Sequence, residues 1–308
     1  MQNWLLLSLI APFLWAVVSV IDTHFVHDVY EDEYDGTVVS GIFQSLPWLL
    51  VPLGIVHFIF PGIEVAGLAF LAGGMFICSF YCYFKALFVS NDGALMQILW
   101  GVSVLVVPFF AWMCIGEVLQ SIHYIGITIA FAGICLFNFD GKIKKIGFSR
   151  ILFPMIGAVV FLSLSMVITK KVQQPSADFW SIFLVFSAGA TIFSLVILAI
   201  GKKNPFKRAQ KIAKLSGKYF PIFAIAEGLS IVATITSQTA ISLAPAVSFV
   251  AVIESLVPVF VMMIGLVIVF AFRNTTRFDL SPYRNLVSGA WIKVLALAFI
   301  AIGIYAVA

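Results

Sequence analysis

Charged residues are scarce in this chain. They make up 10% of its 308 residues, whereas soluble globular proteins carry roughly 25%. Hydrophobic residues reach 62%, and the mean hydropathy is +1.10. A chain of this composition lacks the polar surface of a soluble domain. It is therefore predicted to be an integral membrane protein.

Motifs for catalysis and for phosphate binding are missing as well. The sequence contains no HExxH zinc motif, no GxSxG nucleophile elbow and no glycine-rich phosphate loop. These absences argue against a membrane-embedded enzyme and against a pump that carries its own ATPase. No cofactor, metal or nucleic-acid partner is expected. The four cysteines all fall in or at the ends of apolar runs, where they are interpreted as packing residues (Cys78, Cys82, Cys114 and Cys135).

Ten apolar runs are long enough to cross a bilayer, which takes about 20 residues in a helix. The first is interpreted as a retained helix, because its leader has no positive charge and no small-residue cleavage pattern follows it. The sequence predicts an all-α membrane protein with ten transmembrane helices arranged as two five-helix repeats, at residues 1–146 and 147–308. An odd number of helices per repeat makes the repeats inverted. The spans are 4–21, 38–60, 65–88, 94–115, 121–138, 151–169, 179–200, 219–243, 246–271 and 289–307.

The two halves also match locally. Residues 94–110 align with residues 244–260 and bring Pro108 into register with Pro258. Further pairs follow in the same order along both halves, with a drifting offset that loops of unequal length require: Pro12 with Pro154, Asp35 with Asp178, Gly74 with Gly228, Ala86 with Ala240, and Gly133 with Gly303. The preserved order favours duplication over chance.

Lysine and arginine concentrate in the loops after odd-numbered spans. The positive-inside rule therefore places these loops in the cytoplasm and both termini outside. The most basic of them, Lys202–Lys218, is predicted to be a solvated loop or a contact with anionic lipid. The loop after the first span is acidic, and His27 stands four residues before Glu31. A metal site there is the weaker alternative to a solvated, metal-free loop.

Two carboxylates fall inside apolar spans, which costs at least ~2.5–3.5 kcal/mol at mid-bilayer. Glu254 lies one turn before Pro258, and Glu227 begins a polar stripe along the span 219–243. They are predicted to bind a cationic group or exchange protons, with a structural hydrogen bond as the alternative. Lys85, Lys170 and Lys293 are candidate cationic partners. The predicted substrate-binding residues are Glu227, Glu254, Trp15, Tyr81, Gln97, Trp100, Ser230, Thr234 and Gln238.

Several segments carry a resemblance to a known family. They are Tyr83-Phe84-Lys85-Ala86-Leu87, the Pro108 helix, the Gly116-Glu117 turn, the glycine-bearing helix to Gly133, and Trp15 with Ile21-Asp22. Together they resemble the EamA-like branch of the drug/metabolite transporter superfamily. The resemblance implies a secondary transporter with a central cavity lined by the first, third, fourth, sixth, eighth and ninth helices. The second half lacks a Gly-Glu turn, and members of the family keep both termini in the cytoplasm, so the orientation stays open.

We therefore expect a secondary transporter that moves a small polar organic solute, such as a metabolite or an amine-bearing compound, by alternating access between the two halves. Proton coupling is one option. The alternatives are a flippase for a lipid-linked substrate with the same fold, a membrane-embedded enzyme and a non-transporting scaffold. We expect a monomer or homodimer that contacts its small-molecule substrate and membrane lipid, in a bacterial inner membrane.

Overall fold

The computed structural model describes residues 3–89, 96, 99–138, 148–173, 178–272 and 290–307, without the side chains at 23–28, 138, 148–150, 272 and 290. Helices make up all of the regular structure in these ranges, including a short 3-10 helix at Leu46–Leu50. The α-helices are α1 (Asn3–Asp28), α2 (Glu33–Phe43), α3 (Ile63–Val89), α4 (Ser103–Ile115), α5 (Ser121–Asn138), α6 (Phe148–Val172), α7 (Phe179–Gly201), α8 (Pro205–Lys218), α9 (Phe220–Leu243), α10 (Val247–Glu254), α11 (Val257–Phe272) and α12 (Ala290–Val307).

Most of these helices are apolar enough to cross a membrane. Six segments of the described chain have both the length and the composition, namely 3–22, 63–89, 151–172, 179–201, 220–243 and 247–271. Three shorter apolar helices occupy 99–115, 121–137 and 291–307. Large hydrophobic side chains such as Ile63, Phe153 and Tyr305 are highly exposed, as lipid-facing residues are. The chain is an all-helical, multi-pass membrane protein.

The predicted second span, 38–60, is not a continuous helix. Helix α2 ends at Phe43, a 3-10 helix follows, and the chain is irregular from there to Gly62. Pro47 and Pro52 explain the difference, because proline lacks the N–H that helix continuation requires and disfavours helical geometry in the residue before it. The indole of Trp48 donates a hydrogen bond of 2.8 Å to the carbonyl of Leu184, which fixes this segment to α7.

The basic segment 202–218, predicted to be a loop, forms helix α8 instead. Pro205 stands at its first position, where a missing N–H is harmless. Ala209, Ile212 and Leu215 follow at spacings of three residues and belong to a hydrophobic cluster that also includes α2 side chains, and α8 contacts α2, α7 and α9. This apolar stripe supplies the periodicity that a solvated loop would lack.

The predicted ninth span is broken in the middle. Helix α10 ends at Glu254 and α11 begins at Val257, with Ser255 and Leu256 in a turn between them. Pro258 lies one residue into α11, where its ring is tolerated. The fourth span has a similar interruption at Val102, before α4 with its internal Pro108. In both spans, a short break in the helix thus precedes the proline.

Helix packing brings the two halves of the chain together. Helix α3 packs on α6 and α7, α1 packs on α9, and α5 packs on α12. Small residues permit the closest crossings: a Cβ atom at Gly73 would lie 1.8 Å from the carbonyl oxygen of Phe186, and one at Gly189 would lie 2.0 Å from that of Phe70. Membrane helices approach closely in this way because hydrocarbon supplies little drive for burial, leaving contact and dispersion to hold them.

Candidate functional site

A cavity of about 90 Å³ lies between helices of both halves. Helices α1, α3, α4, α6, α10 and α11 contribute to its lining, together with Trp100 and Ser255. Its walls are mainly apolar and aromatic, which suits a small organic ligand. The lining residues are Trp15, Val18, Ser19, Asp22, Phe76, Phe80, Tyr83, Phe84, Trp100, Ser103, Leu162, Met166, Ala251, Glu254, Ser255 and Val257.

Glu254 is at the edge of this cavity because α10 ends there. Its side chain interacts with the hydroxyl of Ser237 on α9. Its Oε1 atom is buried and accepts no hydrogen bond from the described residues. An unpartnered carboxylate oxygen in an apolar cavity is costly, so it marks a position where a ligand donor or a proton would be stabilised.

Glu227 lies close by but does not line the cavity. It is 4% exposed, its Oε1 accepts a 2.7 Å hydrogen bond from Ser40, and its Oε2 has no partner among the described residues. The carboxylate of Asp22 is near enough for the two charges to repel. Asp22 itself lines the cavity. Binding of one proton or one cation between these groups would relieve the repulsion.

Aromatic residues of α3 form one wall. Phe76, Phe80, Tyr83 and Phe84 share one face of the helix, and Tyr83 contacts Trp100 edge to face with ring centroids 5.4 Å apart. Trp15 and Trp100 of the predicted set both line the cavity. Tyr81 lies elsewhere: its hydroxyl donates to Tyr34, 3.3 Å away. Gln97 lies outside the described residues.

The polar stripe of α9 faces a second, smaller void of about 20 Å³. Thr234, Ser237 and Gln238 line it together with Trp15 and Glu254, which also border the main cavity. Gln238 accepts a 2.7 Å hydrogen bond from Gln173. Ser230 is buried beyond this void, and its hydroxyl has no partner in the described part of the chain. The stripe thus continues the main cavity with hydrogen-bonding groups.

The candidate lysines do not reach the carboxylates. Among the described residues, no lysine or arginine lines either void. Lys170 donates to the carbonyls of Ile241, at 2.9 Å, and Ala244, at 2.5 Å, so it binds the C-terminal end of α9. Lys85 is exposed, and Lys293 lies over the ring of Phe137. Within these ranges, no ion pair joins a lysine or arginine to Glu227 or Glu254.

Glu117 caps the adjacent helix. The Gly116-Glu117 turn follows α4, with Gly116 in the left-handed region at φ +68°. The Glu117 carboxylate accepts from the backbone N–H of Val247, at 2.8 Å, from that of Ser248, at 3.3 Å, and from the Ser248 hydroxyl. A carboxylate is favourable there because the first N–H groups of a helix lack intrahelical partners. Glu117 and Lys170 together hold the turn between α9 and α10.

At the opposite end of the bundle, the turn between α1 and α2 contacts α8 through ion pairs. Arg208 contacts Glu31 and Asp35 at 2.6 Å each and Asp32 at 3.1 Å. Lys202 pairs with Asp32 at 2.7 Å, and Lys211 pairs with Glu31. Hydrogen bonds from Lys211 and Arg208 lower the pKa of Glu31, whereas burial raises the pKa of Asp35. The expected solvated acidic loop is instead a folded contact at Glu31, Asp32 and Asp35.

No group of three or more histidine, cysteine, aspartate or glutamate side chains that could hold a metal occurs within the described ranges. The side chains of His24 and His27 lie outside those ranges. A metal site that uses these histidines therefore remains a prediction from the sequence.

Comparison with known proteins bears on the fold of this chain. No family model and no curated protein sequence matches the chain. A crystal structure described only as that of a protein matches with a TM-score of 0.60 at 16% identity, and the match covers 97% of this chain and 99% of that one. At this identity the similarity shows a shared fold over nearly the whole length, and no more.

Some residues of the cavity were absent from the predicted set. Asp22, Ser19 and Tyr83 line it, and a signal for each was present: Ser19 and Asp22 continue the polar face of the first span from Trp15, and Tyr83 continues the spacing of Phe76 and Phe80. Tyr81 falls off that spacing, which explains why it faces Tyr34. Helical periodicity was the better guide, since residue type alone favoured both tyrosines equally.

Proposed function

We propose that this protein is a secondary transporter for a small polar organic solute bearing an amine or other cationic group. The observation that carries the proposal is the carboxylate of Glu254, with a buried, unpartnered oxygen, in a cavity lined by Trp15, Tyr83 and Trp100. Carboxylates and aromatic faces both attract cations. An amine would supply the missing hydrogen-bond donor to Glu254.

The packing of the helices supports two inverted five-helix repeats, with α8 as an insertion. If the two halves are interchanged, α3 corresponds to α9 and α6 corresponds to α1. The contact of α3 with α6 then corresponds to the contact of α9 with α1, and both contacts occur. The contact of α4 with α6 becomes that of α1 with α10 and α11, which also occurs. The contacts of α5 with α12 and of α2 with α7 map onto themselves. Inverted repeats with a site at their interface are typical of secondary transporters.

The mechanism that follows is alternating access. In this mechanism the Glu117 and Lys170 contacts would act as the gate at one end of the bundle, and the ion pairs of α8 as the gate at the other. Opening either end in turn would expose the cavity to one side of the membrane at a time. The break between α10 and α11 would serve as a hinge beside Glu254. Membership of the EamA-like branch and a place in a bacterial inner membrane are parts of the same proposal.

The decisive test is Glu254→Gln, which keeps the shape of the side chain and removes its charge. Purified protein is screened by thermal shift against soluble metabolites, amines and lipid-linked compounds. Compounds that stabilise the wild type are then followed for uptake into proteoliposomes between pH 5 and 8. We expect at least a tenfold loss of amine affinity and loss of pH-dependent uptake in Glu254→Gln, with unchanged folding.

Glu64→Gln is the matched control, because Glu64 is an exposed carboxylate at the start of α3, away from the cavity. It should behave as the wild type. Unchanged pH-dependent uptake by Glu254→Gln would remove the basis of the proposal. Stabilisation by lipid-linked compounds alone would favour the flippase.

A further inference from the structure

A separate pocket, of about 230 Å³, lies between α8 and the turn after α1, outside the main cavity. Its lining includes the apolar side chains of Val29, Ile212 and Leu215 and three lysines, Lys211, Lys214 and Lys218. Glu31 and Asp35 complete the lining. A lining that combines apolar side chains with several cations suits an amphiphilic anion.

The charges of the pocket are not balanced within the described chain. Glu31 and Asp35 are already bound by Arg208, and Glu31 also by Lys211. Lys214 and Lys218 form no ion pair with any described carboxylate, and both are exposed. Lys214 and Lys218 are therefore available to bind an external anion, whereas Arg208 attaches α8 to the turn after α1.

The position of α8 identifies the source of that anion. Three residues separate it from the end of α7 and one from the start of α9, so both of its ends are tied to membrane-spanning helices. It must therefore lie at the membrane surface. Phe206 is 75% exposed and is placed to enter the interface. Lys207, Lys211, Lys214 and Lys218 recur at spacings of three and four residues, which places them along one face of the helix.

We propose that this pocket binds the headgroup phosphate of an anionic phospholipid, with Lys214 and Lys218 as its principal ligands and Val29, Ile212 and Leu215 beneath its glycerol and upper acyl carbons. Lys211 joins the phosphate by exchanging its contact with Glu31. Because that contact helps to close this end of the bundle, lipid binding loosens one of the ion pairs between α8 and the turn.

The test uses full-length protein purified in a neutral detergent. Phosphatidylglycerol and phosphatidylcholine are titrated separately, and lipid retention is read by native mass spectrometry and by the shift in melting temperature. We expect selective retention of phosphatidylglycerol. Each lysine near a lipid surface contributes roughly fivefold, so Lys214→Gln with Lys218→Gln should weaken that binding about 25-fold.

The charge-retaining pair Lys214→Arg with Lys218→Arg is the control and should bind as the wild type does. Both positions are exposed, so either pair should fold, which size-exclusion chromatography checks. Equal retention of the two lipids, or undiminished binding by the Gln pair, would overturn the assignment. So would equal stabilisation by inorganic phosphate at matched concentration, since that would indicate a site for free anions.

Discussion

At the scale of single residues, Arg208 makes the largest number of ionic contacts in the described chain. Its guanidinium contacts Glu31, Asp32 and Asp35, and the Asp35 side chain is only 3% exposed. Two acids with opposite pKa shifts therefore share one cation. Burial raises the pKa of Asp35, and hydrogen bonds from Lys211 and Arg208 lower that of Glu31. The strength of this contact should therefore depend on pH.

We predict that Arg208→Gln lowers stability by about 3 kcal/mol at pH 7, because it leaves the buried Asp35 carboxylate without its cation. As pH falls, Asp35 protonates at a pKa above its ordinary value of 3.8, and its share of the difference in stability is lost there. The share of Glu31 is present above its ordinary pKa of 4.5 and is lost only as pH falls through its lowered value in the folded protein.

The prediction is checked by measuring the melting temperatures of the wild type and of Arg208→Gln in detergent between pH 7 and 3. The difference between them should shrink as pH falls. Lys203→Gln is the control, since Lys203 is exposed and has no ion pair within the described residues. A difference that stays constant down to pH 3 would show that the contact acts through packing and not through charge.

At the scale of elements, the crossing of α5 and α12 depends on glycine. A Cβ atom at Gly303 would lie 2.6 Å from the carbonyl oxygen of Gly126, and one at Gly133 would lie 2.9 Å from that of Ala296. The two backbones are thus in direct contact over several turns. This crossing joins the last helices of the two proposed repeats.

We predict that Gly303→Ala destabilises the protein by about 1–3 kcal/mol, because the added methyl group must displace backbone. Gly67→Ala is the matched control: it also lies in an apolar helix, and a Cβ atom there meets nothing within 4 Å. Because alanine has a higher helix propensity than glycine, Gly67→Ala should leave stability unchanged or slightly raised. Thermal unfolding in detergent compares the two, and equal melting temperatures would contradict the close crossing.

At the scale of the whole molecule, the basic helix α8 and the acidic turn share one end, and Glu117 and Lys170 act at the other. From the distribution of lysine and arginine we predict that the α8 end is cytoplasmic. We predict that Ser216→Cys, introduced into a cysteine-free background, is not labelled by a membrane-impermeant thiol reagent in intact cells. Labelling at Ser216→Cys would reverse the orientation.

Glu64→Cys is the companion variant. Glu64 is exposed at the start of α3, on the opposite end of the bundle from α8. It should be labelled in intact cells, while Ser216→Cys should be labelled only after the membrane is permeabilised.

The sequence by itself determined the class of this protein and most of its helices. Long apolar runs have one stable form in hydrocarbon, so hydropathy predicted the apolar helices of nine of the ten spans in the described chain. It failed at 38–60, where Pro47 and Pro52 interrupt the helix, and at 202–218, where the stripe of Ala209, Ile212 and Leu215 indicated a helix that the high charge concealed.

Only the tertiary structure decided which polar groups meet. Trp15, Trp100 and Glu254 come from distant parts of the chain and line one cavity. Glu227, in contrast, accepts a hydrogen bond from Ser40, and Tyr81 donates one to Tyr34. Likewise, Glu117 and Lys170 bind the backbone of another turn instead of pairing with a buried acid. Partner choice depends on how helices rotate and cross, which periodicity along one helix does not contain. Hydrophobicity sets which segments enter the membrane, and close packing between them sets which side chains face each other.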